Sequence, residues 1–372
     1  MRRQKAKHLN SISGSSAYIV ISAVFIAVVL LSGCNSKHAG KTNKAYSVIL
    51  HDAPELKFPV PTDSSCPAHW DGDTFYIFSS LFQAKRLSGP SLFELKNATD
   101  VQWDRDKELT RWIEATYKDD DGTLYGWYHH ERGPACPDRM PGKFLVTPII
   151  GAAVSNDNGA TWKDLGFVIQ DDPNTFNCDT FNFYFAGGSG DFSVITDRKK
   201  EYIYFLFNTY SRQLDQQGVC VARMLYADRK NPPGKVWKWY MNNWSEPGIF
   251  GKVSPIFDTF KDWHSPNPDS FWGPAVHYNT YLKSYVMLLN RAIDPNWKQE
   301  GTYVAFNDNI ADCGGWSQPQ KIKKDGSWYP LVIGTNKYET EKLAGRKARY
   351  FEQGVSRWEI EFVNSASRPA QP

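Results

Sequence analysis

The stretch Trp112-Ile113-Glu114-Ala115-Thr116-Tyr117, followed by a turn over residues 119–122, opens a cycle that the chain repeats. In this cycle a short apolar strand leads through an Asp/Gly or Asn turn into a Tyr-rich strand, and a Trp-containing hairpin closes the unit. Four other starts follow the same plan, over residues 66–70, 190–194, 272–278 and 328–333. Three closing hairpins begin at Trp162, Trp244 and Trp316. The repeat therefore predicts five similar units.

The strands inside these units are indicated by runs of β-branched and aromatic residues. The runs cover residues 74–78, 124–128, 202–207 and 281–289. Five units of four short antiparallel strands are typical of a β-propeller, in which ring closure removes exposed strand edges. We therefore predict an all-β fold, a five-bladed β-propeller over residues 45–372. A β-sandwich with long loops is the alternative architecture.

One hairpin carries a recognisable motif, Ser155-Asn156-Asp157-Asn158-Gly159-Ala160-Thr161-Trp162. It resembles the Asp-box, S-x-D-x-G-x-T-W, of sialidases and other glycan-acting propellers. We expect a structural role, in which Asp157 binds the backbone of the turn, Gly159 supplies a positive φ and Trp162 packs under the hairpin. No catalytic role is expected for it.

The amino terminus predicts export. Four basic residues within positions 2–7 precede an apolar run over residues 17–31 and then Leu31-Ser32-Gly33-Cys34, which reads as a signal peptide over residues 1–33. The last four residues are similar to the bacterial lipobox, which implies a lipid on Cys34 and a flexible tether over residues 34–44. We expect a protein anchored by lipid in the bacterial cell envelope, on its periplasmic or surface face. An uncleaved membrane-spanning anchor is the alternative.

Charge and cysteine content limit the partners. Loss of the signal peptide removes four basic and no acidic residues, so the formal charge falls from +3 to −1. Such a neutral surface argues against nucleic acid as a partner. Five cysteines follow Cys34 without CxxC spacing, which argues against a zinc site and allows one or two disulfides. We expect a monomer.

Two of the strand starts, Trp112-Ile113-Glu114 and Trp272-Gly273-Pro274-Ala275, are similar to the W-A-P-[DE] opening of a known group of propellers. These are the five-bladed propeller glycosidases of the superfamily that contains glycoside hydrolase family 43. The resemblance covers residues 66–362 in its blade rhythm, with Cys66-Pro67 where the family has Asp-Pro. It implies hydrolysis of glycosidic links by a base in blade one, a pKa-setting carboxylate in blade two and a general acid in blade three.

Position by position, Glu114 matches the carboxylate of blade two and Asp191 matches that of blade three. Cys66 occupies the position of the base in blade one, so Asp63 would have to reach the axis instead. The types of the two matching acids are exchanged relative to the family, which leaves their division of roles open. Glycoside cleavage needs two carboxyl groups in different environments, one protonated and one ionised. Glu114 and Asp191 are therefore our first candidates, with Asp63 as a third.

Other residues at the predicted mouth of the axis are candidates for narrower roles. His69 is a candidate acid, because some propeller glycosidases of this superfamily use His. Candidates for contact with substrate are Arg111, His129, Trp272, Arg291 and Tyr329, of which Arg111 would hold a carboxylate ionised or bind an acidic sugar. The resemblance also implies that a His at the position of His277 can approach a calcium ion on the axis. We expect no required cofactor and leave calcium possible.

The sequence thus predicts a glycoside hydrolase that acts on an oligosaccharide or polysaccharide outside the cytoplasm. The same propeller without its base would be a non-catalytic glycan-binding lipoprotein, as Cys66 and Ala275 would allow. A scaffold of the envelope, with no polar mouth, is a third reading.

Overall fold

The computed structural model describes residues 46–105, 109–137 and 144–365. These residues belong to one compact unit. The predicted signal peptide, Cys34 and the tether lie outside the described residues. Four short 3-10 helices accompany the strands, at Leu92–Glu94, Pro173–Thr175, Leu214–Gln216 and Tyr226–Lys230. In the part of the chain that is described, no helix has the length and apolar character needed to span a membrane.

The strands form five sheets that are the blades of a propeller. The described chain starts with β1 (Tyr46–Lys57), and blade one follows with β2 (Ala68–Asp71), β3 (Thr74–Leu81), β4 (Gln83–Gly89) and β5 (Lys96–Asp100). Blade two contains β6 (Gln102–Trp103), β7 (Trp112–Lys118), β8 (Leu124–Arg132), β9 (Thr147–Ser155) and β10 (Thr161–Ile169). Blade three contains β11 (Ser189–Thr196), β12 (Tyr202–Thr209), β13 (Gly218–Leu225), β14 (Trp237–Tyr240), β15 (Asn243–Pro247) and β16 (Phe257–Asp258).

The last two blades complete the ring. Blade four contains β17 (Ser270–Asn279), β18 (Ser284–Ala292), β19 (Gln299–Asn307) and β20 (Gln320–Lys324). Then come β21 (Leu331–Gly334), β22 (Leu343–Ala344), β23 (Lys347–Glu352) and β24 (Val355–Asn364). Strand β22 pairs in parallel with β17, whereas β21, β23 and β24 form blade five. The predicted antiparallel core of four strands is present in every blade, and short extra strands widen blades two, three and four.

Blade five is closed by the other end of the chain. Strand β1 pairs antiparallel with β24, with Tyr46 opposite Asn364 and Lys57 opposite Val355. The outer strand of the last blade therefore comes from the residues that precede the first blade. Joining the two ends of the described chain in one sheet holds the ring closed.

The core of the protein lies between neighbouring blades. Phe78, Ile113 and Tyr128 pack blade one on blade two, and Trp127 meets Phe205 edge to face where blade two packs on blade three. Other clusters of buried side chains join blades three and four and then blades four, five and one. Each blade thus buries an apolar face against the next blade, and isolated blades would expose these faces to water.

In three of the blades, a polar side chain near the carboxyl end of the second strand also makes a hydrogen bond to the next blade. Ser80 accepts the backbone N–H of Ile113 at 3.2 Å, from blade one to blade two. Asn208 accepts the N–H of Gly273 at 3.0 Å, from blade three to blade four. Asn290 donates to the backbone carbonyl of Ser327 at 3.1 Å, from blade four toward blade five. In blade two this position is occupied by His129.

The Asp-box has the structural role expected of it. The carboxylate of Asp157 accepts hydrogen bonds from both the N–H and the hydroxyl of Thr161, at 2.9 and 2.7 Å. Gly159 has φ of 79° and Trp162 is buried, with its indole N–H donating to the carbonyl of Gly159 at 3.0 Å. The motif stabilises the hairpin between β9 and β10, on the outer side of blade two.

Two predicted strands begin later than the sequence pattern indicated. The run over residues 281–289 becomes a strand only at Ser284, because the side chain of Asn279 accepts the N–H groups of Tyr281 and Leu282 and forms a turn. The start at Trp328 becomes a strand only at Leu331, after Tyr329 at φ of 55° and a proline. One disulfide, Cys136–Cys178, is formed among the described residues, and Cys66, Cys220 and Cys313 are buried free thiols.

Candidate active site

Three of the inner strands have a β-bulge close to their first residues. The ladder register shifts at Glu114 in β7, at Asp191 and Phe192 in β11, and at Gly273 and Pro274 in β17. A bulge bends its strand and changes the direction of a side chain. In blades two and three the bulge carries a carboxylate, whereas in blade four it carries glycine.

The backbone of Asp191 is held in an unusual conformation. Its φ is 49°, close to the 62° of Gly273 at the matching position of blade four. Positive φ is uncommon outside glycine, although Asp and Asn accept it more readily than most residues. Blade three therefore places an acid where the local geometry favours glycine, and such strain is often found at functional sites.

The two acids in the β-bulges line one small cavity of about 140 Å³. The cavity lies at the end of the propeller axis where the inner strands begin. It is lined by four acids, one histidine and six aromatic residues, namely Asp63, Glu114, Glu131, Asp191, His129, Trp112, Tyr184, Phe185, Trp297, Trp328 and Tyr329. Of the predicted site residues, the structure thus brings together Glu114, Asp191, Asp63, His129 and Tyr329. We call this cavity the acidic pocket.

Glu114 and Asp191 form a close, buried pair. Both side chains are almost inaccessible, at 2% and 3% exposure, and an oxygen of one lies within 4.8 Å of an oxygen of the other. One oxygen of Glu114 accepts the N–H of Phe192 at 3.1 Å, and Asp191 accepts the hydroxyl of Tyr210 at 2.5 Å. Two like charges at this distance disfavour ionisation of both groups, so the pair is suited to keep a proton.

Burial is also the main influence on how this pair titrates. It raises the pKa of Glu114 to about 8, with Asp191 adding to the rise. It raises the pKa of Asp191 to about 6, against the lowering effects of His129 and Tyr210. At neutral pH the buried pair therefore retains a proton. A carboxyl group that is protonated at neutral pH can donate a proton to a leaving oxygen.

His129 lies among three of the acids. Its Nδ1 is 3.6 Å from a Glu114 oxygen, and its Nε2 is 3.6 Å from a Glu131 oxygen. Burial would lower the pKa of the imidazole, but Glu131, Glu114 and Asp191 outweigh it and raise this pKa to about 9. The imidazolium thereby balances part of the negative charge in the acidic pocket.

Asp63 reaches the acidic pocket from the segment that precedes blade one. Its backbone N–H donates to the carbonyl of Ser80 at 2.7 Å, which fixes the segment against β3. The side chain is only partly buried, and its pKa is raised by burial and by Glu131. Cys66, at the family's usual position for the base, is a buried thiol whose pKa burial raises to about 12. Asp63, from the segment before blade one, is therefore the acid that reaches the pocket in place of Cys66.

Three of the six aromatic residues that line the pocket come from parts of the chain that the sequence pattern did not single out. Tyr184 and Phe185 belong to the long connection between β10 and β11, which the disulfide at Cys178 joins to the connection after β8. Trp297 lies in the turn between β18 and β19 with φ of 62°. Glu131, which was not a predicted site residue, had a sequence signal, because it directly follows the two histidines of β8.

Four of the predicted site residues lie outside the acidic pocket. Arg111 is buried with Asp164 at 2.8 Å and lines a different cavity. Arg291 makes two hydrogen bonds to Asp269, at 2.7 and 2.8 Å. Trp272 is fully buried behind the aromatic wall, with its ring centre 4.7 Å from that of Trp297.

His69 is the fourth of these residues. It stacks on Tyr76 with ring centres 5.0 Å apart, and burial lowers the pKa of its imidazole to about 3. A neutral, stacked histidine that does not line the acidic pocket is not positioned to act as its acid.

Two places in the described chain bear on metal binding. Glu114, His129 and Asp191 each offer a possible ligand atom, all within 4.8 Å of one another, so this trio could hold a metal ion. His277, which the resemblance places near a calcium ion, is buried on β17, and burial together with the positive charge of Lys342 lowers the pKa of its imidazole to about 3.

Comparisons with known proteins agree on the fold. No family model matches the sequence, and no curated protein sequence matches it. Among solved structures, the endo-arabinase from Bacteroides thetaiotaomicron VPI-5482 has a TM-score of 0.50 at 12% identity, over 82% of this chain and 95% of that one. An exo-1,5-α-L-arabinanase from a bovine ruminal metagenomic library gives 0.48 at 11% identity, over 86% and 94%. A thermostable family-43 glycoside hydrolase gives 0.48 at 12%, over 83% and 92%. The likeness to the endo-arabinase shows a shared fold.

Proposed function

We propose that this protein is a glycoside hydrolase whose active site is the acidic pocket. The observation that carries the proposal is the convergence of Asp63, Glu114 and Asp191 on one aromatic-walled cavity, where Glu114 and Asp191 are buried and Asp63 is partly exposed. Glycoside hydrolysis needs one protonated and one ionised carboxyl group at the same bond. The fold shared with an endo-arabinase supports the same reaction class.

In this proposal the buried pair supplies the proton. Glu114 is the protonated member at neutral pH, and it would donate to the oxygen of the leaving sugar. Asp191, oriented by Tyr210, would adjust the acidity of Glu114. An inverting mechanism needs its two carboxyl groups about 6.5–9.5 Å apart to leave room for water. The Glu114–Asp191 pair, at 4.8 Å or less, is too close for that.

Asp63 is therefore the carboxylate that we assign to activation of water. It is the more exposed of the three acids, so ionisation costs it less than it costs the buried pair. The water would take up a position between Asp63 and the sugar and lose its proton to Asp63 during attack. When the glycosidic bond breaks, the leaving oxygen would receive a proton from Glu114, and the sugar carbon would receive the hydroxyl of the water.

The lining of the acidic pocket favours an uncharged sugar. Four acids and one histidine face the cavity, and no lysine or arginine is among the described residues that line it. A sugar carboxylate would be repelled there, whereas the faces of Trp112 and Tyr329 can pack against the CH groups of a neutral ring. We propose a neutral sugar of an oligosaccharide or polysaccharide as the unit bound next to the cleaved bond.

We also propose that the protein acts outside the cytoplasm, held by a lipid on Cys34. The sequence pattern at residues 1–34 and the disulfide Cys136–Cys178 support this location, because disulfides persist in oxidising compartments. Metabolic labelling with a radioactive fatty acid tests it, since the natural chain would take up the label and the Cys34→Ala variant would not.

The test of hydrolysis is the release of reducing sugar from a panel of neutral plant and algal polysaccharides. We expect turnover by the natural chain and a loss of about 10²–10⁴-fold in kcat for Glu114→Gln. Glu352→Gln is the matched control, because Glu352 is also buried and lies outside the acidic pocket, bound to Tyr350 at 2.6 Å. Full activity in Glu114→Gln would remove Glu114 from the mechanism. Saturable glycan binding without turnover by the natural chain would instead support a glycan-binding protein.

A further inference from the structure

Tyr329 lines the acidic pocket in a backbone conformation that tyrosine rarely adopts. Its φ is 55°, in the left-handed region that disfavours bulky side chains. The next residue is Pro330, and a residue before proline usually takes an extended conformation instead. The ring packs edge to face on Trp272, with ring centres 5.6 Å apart. Such strain persists only where the surrounding structure fixes the residue, and it is concentrated at functional sites.

The hydroxyl of Tyr329 has no hydrogen-bond partner within the part of the chain that the structure describes. Tyr329 is partly buried, but its hydroxyl oxygen keeps accessible surface. A tyrosine hydroxyl in such surroundings usually finds a partner. Tyr210, the other tyrosine beside the buried pair, shows this, since its hydroxyl donates to Asp191 at 2.5 Å. The hydroxyl of Tyr329 is therefore a free donor that a ligand in the pocket can reach.

The surroundings of this hydroxyl keep it protonated. Burial raises the pKa of Tyr329 well above its usual range. The four acids of the pocket add to this rise, in the order Asp191, Asp63, Glu114 and Glu131. A phenol that keeps its proton is a neutral hydrogen-bond donor, whereas a nucleophile would need the phenolate. The hydroxyl of Tyr329 is thus suited to bind a sugar and not to attack it.

Few other neutral donors can face a sugar from the described lining of the pocket. The indole N–H groups of Trp112 and Trp297 have almost no accessible surface. The indole of Trp328 donates to the carbonyl of Trp297 at 3.2 Å. His129 is held between two acids of the pocket. Sugar oxygens need donors as well as acceptors, so the hydroxyl of Tyr329 supplies what the acids cannot when they are ionised.

We propose that the hydroxyl of Tyr329 donates a hydrogen bond to one hydroxyl group of the sugar bound next to the cleaved bond, and that this sugar hydroxyl donates in turn to Asp191. Asp191 has an oxygen left for it, because its other oxygen accepts Tyr210. Tyr329 then selects sugars that carry this hydroxyl group. The proposal rests on the proposed function for the place of the sugar, but it concerns binding and is measured with or without turnover.

Sugars that lack a single hydroxyl group test the proposal. The probes are the methyl glycosides of glucose, galactose, xylose and arabinose and their monodeoxy analogues, and binding is followed by the fluorescence of the tryptophans that line the pocket. Tyr329→Phe should weaken binding of the preferred glycoside by about tenfold, the effect of one hydrogen bond between uncharged groups. Removing the matching sugar hydroxyl should weaken binding by about tenfold or more in the natural chain. The same removal should cost Tyr329→Phe several-fold less, because the two groups interact with each other.

Tyr338→Phe is the matched control, because Tyr338 also has a positive φ, of 68°, but is 58% exposed and does not line the acidic pocket. It should bind every probe like the natural chain. The 4-nitrophenyl glycosides of the same sugars repeat the comparison as kcat/KM.

The possible outcomes separate this proposal from the proposed function. Coupling between Tyr329→Phe and one deoxy sugar in binding, without turnover of any glycoside, would support the role of Tyr329 and overturn hydrolysis. Turnover with no such coupling, or with Tyr329→Phe equal to the control, would overturn the role of Tyr329 and leave hydrolysis in place. Failure of the natural chain to bind any of the probes saturably would overturn the role of Tyr329 as well.

Discussion

The backbone N–H of Asp191 points at Nδ1 of His129 from 3.4 Å, across the boundary between blades two and three. Asn208 makes the matching contact from blade three, where it accepts the N–H of Gly273 at 3.0 Å. His129 therefore occupies the position from which a polar side chain ties other blades together, but its imidazolium carries a proton on Nδ1 and cannot accept this N–H. Among the described blades that have this contact, blade two alone uses a residue that can also carry charge.

The variant His129→Asn removes the charge at this position and keeps a polar side chain there. We expect the amide oxygen of asparagine to accept the N–H of Asp191, as Asn208 accepts that of Gly273, and the imidazolium that faces Glu114 and Glu131 to be lost. The Tm should change by only a few degrees, whereas kcat/KM should fall by about 10²-fold or more, within the range for loss of a group that acts on proton transfer. His129→Leu should lower both activity and stability. Natural activity in His129→Asn would assign the histidine to structure alone.

Because Asp191 has a positive φ, two variants can distinguish the role of its backbone from the role of its carboxylate. Asparagine tolerates φ of 49° and can still accept the hydroxyl of Tyr210, so Asp191→Asn should fold normally and lose most of its activity. Asp191→Val places a β-branched residue in the same conformation, and we expect it to lose about 1–3 kcal/mol or more of stability. Urea unfolding of both variants measures the difference. Equal stability for the two would contradict the strained backbone described here.

The protonation of Glu114 predicts how stability depends on pH. Its folded-state pKa of about 8 lies above the ordinary value of 4.5, so the native state holds this proton more tightly than the unfolded state does. The stabilising contribution is complete below about pH 4.5 and is lost as pH rises through about 8. Between these limits the Tm of the natural chain should fall relative to that of Glu114→Gln. A Tm difference that stays constant from pH 5 to 8 would contradict the raised pKa.

The disulfide Cys136–Cys178 predicts a link between stability and the wall of the acidic pocket. It closes a sequence separation of 42 residues, so replacing both cysteines by serine should cost about 2–4 kcal/mol. Because the bridge holds the connection that carries Tyr184 and Phe185, KM should rise more than kcat falls. Thermal unfolding with and without reductant measures the first effect, and steady-state kinetics the second. Cys220→Ser, at a buried free thiol, is the control for the loss of a cysteine.

The propeller could be predicted from sequence because each blade repeats the same chemistry. The starts at Trp112, Gly190 and Trp272 lie in strands that the structure places around one axis, and Glu114 and Asp191 were matched there to the two acids that the family resemblance implies. Both acids lie in β-bulges, which leave no separate mark in the sequence pattern. That Glu114 and Asp191 lie close together could be predicted only from the closed ring of blades, since no local sequence feature indicates it.

The residues that were missed lie where the repeat is interrupted. Tyr184, Phe185 and Trp297 belong to connections between strands, so no strand pattern places them. Strand β1 was missed for a related reason, since it belongs to blade five although it precedes blade one in the chain. Arg111 and Arg291 were predicted at the site from their charge and their positions in the repeat, but they pair outside the acidic pocket with Asp164 and Asp269.

The most direct test of the account compares two substrates that carry the sugar identified by the polysaccharide panel. One is the natural oligosaccharide, and the other is a dinitrophenyl glycoside, whose leaving group needs no proton. Glu114→Gln should lose about 10²-fold or more on the oligosaccharide and stay within about tenfold of the natural chain on the aryl glycoside. Asp63→Asn should lose activity on both, because both need activated water. Equal losses of Glu114→Gln on the two substrates, or full activity of Asp63→Asn, would contradict the roles assigned to these acids.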